Sequence, residues 1–251
     1  MRADLVEYLL RLADDRVVLG HRLSEWCGHG PILEEDIALT NIALDFLGQA
    51  NHLLELAGEL EGEGRSADDL VYSRDEIDYR NCLLTEQPNG DFAATIARQL
   101  FFDVYDFLLS EQLAASEFEP LAGLGGKMHK EAQYHVRHSR EWMLRLGDGT
   151  SESHRRAQAA VDALWTYTAE LFDGDEVDAR LSQARIAADL ESLETRWQEL
   201  IGTVLREATL GISDEQQYQR RGGRRGHHTE HLGHMLAEMQ ILARSNPGAK
   251  W

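Results

Sequence analysis

All four prolines of this 251-residue chain, Pro31, Pro88, Pro120 and Pro247, stand where helical patterns begin or end. Proline lacks the backbone donor and clashes with the preceding turn, so it breaks a helix interior but suits its margins. The stretches between are therefore free to run as long helices, and they are rich in Leu, Ala, Glu, Arg and Gln, which favour helix. From about Asp4 to Trp26, Leu5, Leu9, Leu12, Leu19, Leu23 and Trp26 recur at helical spacing, and Gly28-His29-Gly30-Pro31 ends the pattern. From about Leu33 to Leu60, one apolar stripe carries Leu39, Ile42, Phe46, Ala50, Leu53, Ala57 and Leu60. A third helix is predicted over about Phe92 to Ser116 and a fourth from Pro120 to Leu146. Nothing alternates at period two for long enough to make a sheet.

A long connection joins the two helix pairs, from about Glu61 to Gly90. Within it Ser73-x-x-Glu76 has the form of a capping box opening a short helix, and Gln87-Pro88-Asn89-Gly90 marks a turn. Further helices are expected near Glu152–Phe172, Leu190–Thr209 and His228–Arg244, with a polar loop over Ser213–Gly226. Two helical hairpins joined by one long crossover is the connectivity of a ferritin-like four-helix bundle. The expectation is an all-α, single ferritin-like domain over 1–251 with additional C-terminal helices.

Active di-iron proteins of that architecture place one lone carboxylate and one Glu-x-x-His on each hairpin, so that carboxylate and imidazole share a helix face. No Glu or Asp stands three positions before a His anywhere in this chain. Asp45 is followed at +3 by Gly48, and Glu131 by Tyr134. Lone-carboxylate candidates are Asp14, Asp15 or Glu25 in the first hairpin and Asp103 or Asp106 in the second. Asp45, Asp103, Glu131 and His135 (at +4 from Glu131) read as remnants of a dismantled site, and no metal ligand or catalytic residue is assigned. The seam through Leu121, Leu124, Met128, Glu131, His135, His138 and Trp142 points inward, so its polar members need partners. An Arg or Lys from elsewhere is expected to replace the missing metal charge.

Two other clusters stand out. His227, His228, His231 and His234 with Glu230 have spacings a zinc site uses, but the Cys and HExxH patterns that would specify one are missing, so an ordinary His-rich helix start is the stronger reading. Arg220, Arg221, Arg224 and Arg225 pack into six positions around Gly222-Gly223. Such a loop can clamp phosphates of a CoA, dock on an acidic partner, or bind this chain's own surface.

A formal charge of −19 makes nucleic acid and anionic membrane poor partners. Two cysteines, Cys27 and Cys82, make no disulfide framework, and no stretch approaches the apolar length of a membrane span. With no secretory h-region at the start, a cytoplasmic location is expected. P-loop, GxGxxG and GxSxG motifs are missing.

Four segments carry a resemblance: Leu23-Ser24-Glu25-Trp26-Cys27-Gly28-His29, Ile42 to Ala50, Glu86-Gln87-Pro88-Asn89-Gly90-Asp91-Phe92, and Gly226-His227-His228-Thr229-Glu230-His231-Leu232-Gly233. Along nearly its whole length the chain resembles the C subunits of bacterial phenylacetyl-CoA epoxidases. That resemblance implies a non-catalytic, ferritin-like subunit with no cofactor of its own. It pairs with a homologous A subunit holding the di-iron centre, within a complex of further subunits. That complex forms the ring 1,2-epoxide of phenylacetyl-CoA with O2 and electrons from a reductase subunit fed by NADPH, in aerobic phenylacetate degradation. Phenylacetyl-CoA at the interface is a further expected partner. The alternatives are a free-standing metal-dependent oxygenase of the same fold and a module that binds a CoA thioester.

Overall fold

The computed structural model describes residues 1–212 and 218–249. Among them the chain forms α1 (Arg2–Ser24), α2 (Leu33–Glu61), α3 (Ala67–Tyr72), α4 (Leu83–Glu86), α5 (Phe92–Leu113), α6 (Glu119–Gly147), α7 (Ser151–Trp165), α8 (Glu176–Gln183), α9 (Leu190–Glu207) and α10 (Glu230–Ser245). Short 3₁₀ turns add Glu76–Asp78, Ala169–Phe172 and Gly223–Arg225, and no strand occurs among the described residues. The all-α expectation holds. The order is that of a ferritin-like helical bundle: hairpin, crossover, hairpin, then C-terminal helices.

Local chemistry explains most boundaries. Asp91 caps α5 by accepting from the Ala94 N–H at 2.9 Å. Pro120 lies in the first turn of α6, where its missing donor costs nothing. The crossover differs from expectation. The box that closes is Ser66 with Asp69, which opens α3 and satisfies two otherwise orphaned donors. Ser73 instead ends that helix, and Glu76 opens the 3₁₀ turn that follows Asp75. The predicted Glu152–Phe172 helix breaks at Trp165 and resumes as the 3₁₀ turn, and α8 forms where the sequence pattern predicts no helix. At eight residues it is too short to show a helical period, although Asp175 and Asp178 form a capping box at its start. Of the polar loop expected over Ser213–Gly226, residues 213–217 lie outside the described residues.

The contacts divide the chain into two units. The first comprises Met1–Gln87 and the segment from Arg221 onward; the second is Pro88–Arg220. In the first, Leu9, Leu12, Leu19 and Leu23 of α1 are buried, as are Leu39, Ile42, Phe46 and Leu53 of α2. Val18, Tyr79, Leu232, Met235 and Leu236 make a further core that ties the crossover and α10 to α1. In the second unit the rings of Phe101, Trp165, Phe172 and Trp197 pack edge-on or tilted at 5.4–5.9 Å. The Trp197 indole donates to the Phe101 carbonyl at 2.8 Å, so its polar atom is satisfied inside the cluster. The α5–α6 hairpin is tight because of Gly125: a Cβ there would come within 2.6 Å of the Ala114 nitrogen and the Leu113 carbonyl carbon.

Candidate functional site

In the first unit the middle of α1 is polar and buried. Arg11, Asp14, Asp15, Arg16 and Arg22 are all less than one-tenth exposed. Buried charges need partners, and these find them in distant segments. The Asp14 carboxylate takes both terminal nitrogens of Arg74, one at 3.0 Å, and the Arg80 N–H at 2.8 Å. Asp15 accepts from the Cys82 N–H at 2.7 Å and from Arg224 at 2.7 Å. Arg224 also donates to the carbonyls of Arg80 and Arg11. Arg22 donates to the carbonyls of Glu86 and His231, and its other terminal nitrogen meets Glu25 at 2.7 Å.

Glu86, fully buried, completes this network. One carboxylate oxygen accepts from the Thr229 N–H at 2.6 Å. The other meets His228 Nδ1 at 2.9 Å and Asn81 Nδ2 at 3.0 Å. His228 Nε2 lies 3.1 Å from the Tyr79 carbonyl, so both ring nitrogens face acceptors, the pattern of an imidazolium. Burial works against that charge, but the hydrogen bond and charge of Glu86 outweigh it, and the His228 pKa is raised. The chain thus uses Asp14, Asp15, Arg224 and His228 to strap its crossover onto α1. Gly223 lets the last strap in: a Cβ there would collide with the Asn81 carbonyl oxygen.

The inward residues of the long helices set the register in which a metal site would be built. On α6 they are Met128, Ala132, His135, Ser139 and Met143. Tyr134, read from the sequence as a lost imidazole position, is 41 % exposed, whereas His135 is 0 % exposed. One residue is 100° of helix turn, which moves the inward i, i+3 pair to Ala132 and His135. On α2 the same shift replaces Asp45 and Gly48, both half-buried, with Phe46 and Gln49, both buried. Glu131 and His138 are half-buried flanking residues, not members of the inward row.

What stands at these inward positions is unlike a di-iron ligand set. In the first unit Arg16 is fully buried and its Nε donates to Gln49 Oε1 at 2.8 Å. In the second, Arg98, Gln99, Asp103 and Asp106 of α5 are fully buried with His135 and Ser139 of α6. Burial pushes the Asp103 carboxyl up to about 7; His135, Ser139 and Arg98 offset part of that, and Asp106 adds to it. Gln99 Nε2 lies 3.3 Å from Asp103 Oδ1, and Oδ2 has no hydrogen-bond partner among the described residues. Among those residues no three His, Cys, Asp or Glu side chains are placed to hold a metal ion. Taken by itself, neither the first unit's guanidinium, amide and Phe46 nor the second unit's Ala132–His135 pair supplies the Glu-x-x-His set that a di-iron site takes from each hairpin.

The basic loop separates into different roles. Arg224 turns inward to Asp15, which corrects its reading as a ligand or partner contact: a buried carboxylate requires it. Arg221 and Arg225 are exposed. Arg220, in the second unit, is exposed with its guanidinium 5.6 Å from the Tyr167 ring. His227 is exposed, and His228 is held by the buried Glu86 carboxylate. The sequence carried one usable sign of this network: acidic pairs and arginines at positions where the apolar period of α1 calls for core.

A family profile described as "Phenylacetic acid catabolic protein" matches residues 1–251. The chain is 51 % identical over 247 residues to the C subunit of the 1,2-phenylacetyl-CoA epoxidase of Escherichia coli (strain K12), covering 98 % of this chain and 99 % of that protein.

Proposed function

Because the chain belongs to the phenylacetic acid catabolic protein family, we propose that it is the supporting subunit of a multicomponent phenylacetyl-CoA epoxidase. In this reading a homologous A-type subunit holds the di-iron centre, and this chain contributes no catalytic residue. The observation that carries it is the filling of the inward positions: Arg16 and Gln49 bonded to each other, Phe46 and Ala132 where carboxylates would stand. A guanidinium supplies in place the positive charge that a metal would bring, and apolar groups remove the ligands.

The rest of the molecule suits a scaffold. Its crossover is fastened by buried ion pairs and a doubly bonded imidazole. The outer face of α2 shows Leu33, Ile37 and Leu44 at helical spacing, 72 %, 52 % and 61 % exposed. Exposed apolar surface of that kind marks protein association. No helix among the described residues is long and apolar enough to cross a membrane, and a cytoplasmic complex completes the proposal.

The test is co-expression with a catalytic A-type subunit followed by sizing and metal analysis. The two chains should co-elute, with iron following the A-type subunit and none bound stoichiometrically by this chain alone. Two irons per chain in the isolated protein would overturn the reading. So would separate elution at about micromolar concentration, since obligate interfaces bury more than about 2,000 Å² and survive such dilution.

A further inference from the structure

We propose that the outward face of α6 around Lys127, Lys130, Tyr134 and Arg137 is an interface that seats an acidic helix of the catalytic partner subunit. The proposal rests on the assembly reading above and adds to it the surface and the chemistry of what it receives.

The seam is defined by spacing, exposure and charge. Steps of three, four and three residues place the four side chains on one stripe, about 15 Å long at 1.5 Å per residue. All four are exposed, Tyr134 at 41 %. The chain has 44 acidic and 25 basic residues, and two of its three lysines fall here. Most other surface cations of this unit are matched to carboxylates: Arg140 to Glu207, Arg145 to Glu141, Arg155 and Arg156 to Glu152, Arg180 to Glu176, Arg185 to Glu117 and Arg196 to Glu111. Arg206, bonded to Thr203, and Arg220, over the Tyr167 ring, stand apart from one another and form no stripe. Lys127, Lys130 and Arg137 have no carboxylate within ion-pair distance among the described residues. The Arg137 guanidinium instead lies 5.5 Å from the Tyr134 ring, which holds a flat, charged and aromatic surface ready at the middle of the stripe.

In so acidic a chain, three uncompensated cations on one stripe call for an anionic surface from outside. A three–four–three step along a helix is the pattern of a seam that packs against a second helix. A second copy of this chain fits badly, because a two-fold pairing would set the three cations against themselves. Nucleic acid is repelled by the net charge of −19. The phosphates of a CoA need a concave site, and this stripe is the convex side of a helix. A helix of the partner carrying Asp or Glu at matching steps, with a small or apolar residue over Tyr134, satisfies the surface.

The experiment measures binding of the full-length chain to the purified catalytic subunit at low, physiological and high salt. The variants are the triple Lys127→Gln, Lys130→Gln, Arg137→Gln and the triple reversal to Glu. Wild type should bind more weakly as salt rises. The Gln triple should raise Kd about 10-fold or more at about 0.1 M salt and flatten the salt dependence. The reversal should abolish the complex at about micromolar concentration. Circular dichroism should show both variants folded. Arg155→Gln with Arg156→Gln, which alters cations already paired to Glu152, should leave Kd unchanged. A Gln triple with wild-type affinity and salt slope would overturn the seam while leaving the assembly reading intact. Loss of self-association instead of partner binding would also overturn it. Wild type failing to bind the catalytic subunit would remove the premise, and the proposal with it.

Discussion

Replacing Glu86 with Gln tests the buried network through its pH dependence. The carboxylate serves three donors: the Thr229 N–H at 2.6 Å, His228 at 2.9 Å and Asn81 at 3.0 Å. An amide keeps one acceptor oxygen and puts an NH₂ where the other was. The bond to the imidazolium, charged on both sides, is lost, at about 1.5–3 kcal/mol. The new NH₂ also faces a donor unless the ring sheds its Nδ1 proton and accepts instead. A total of about 3 kcal/mol at pH 6 follows, at the low end for breaking a buried ion pair. The sign with pH is fixed by linkage. The folded His228 pKa is raised above 6.5, so its stabilisation is complete below about pH 6.5 and is lost as pH rises through the folded value. Glu76 adds to this field from the crossover. Urea unfolding at pH 6, 7, 8 and 9 of wild type, Glu86→Gln, His228→Gln and the double variant gives the coupling between the two residues. It should be largest at pH 6 and fall toward pH 9. A coupling that is flat across this range, or that grows with pH, would refute the imidazolium–carboxylate reasoning.

Arg224→Gln should destabilise the fold by about 3 kcal/mol, because it strips a buried carboxylate of its cation, with a lowered urea midpoint as the measure. Asp103→Asn should stabilise the fold, most at alkaline pH. Burial raises the Asp103 carboxyl to about 7, so in wild type this group favours unfolding increasingly as pH climbs from about 4 to 7; thermal melts at pH 5 and 8 should show the gain mainly at pH 8.

The long helices were legible because each carries an apolar stripe of many turns and is bounded by Pro or Gly. The short elements were not, since α8 and the 3₁₀ turns hold too few residues for a period to emerge. The absence of Glu-x-x-His was legible, but the register of the inward rows was not. The carboxylate pattern points to Asp45 and Glu131, whereas the inward rows of α2 and α6 pass through Gln49 and His135, one step round each helix. The basic loop and the histidine cluster read as separate motifs, and Asp14 and Asp15 only as lone-carboxylate candidates. They meet in one network because Asp15 and Arg224, 209 positions apart, are joined only by the tertiary fold. Periodicity tells which face a side chain takes; it carries no information about which distant segment arrives there.

The straps on α1 also constrain the order in which the molecule can be finished. Residues 88–220 form a unit that is continuous in the chain, so all its internal contacts come from one uninterrupted stretch. The first unit is interrupted. Asp15 and Glu86 are made early, but Arg224 and His228, which neutralise them, are made 209 and 142 positions later. Until those residues emerge, Asp15 on α1 and Glu86 in the crossover lack these cations. Closing such a long loop is slow. A chain terminated before Arg224 would therefore leave Asp15 and Glu86 without these partners, which makes the segment from Arg221 onward the latch of the first hairpin.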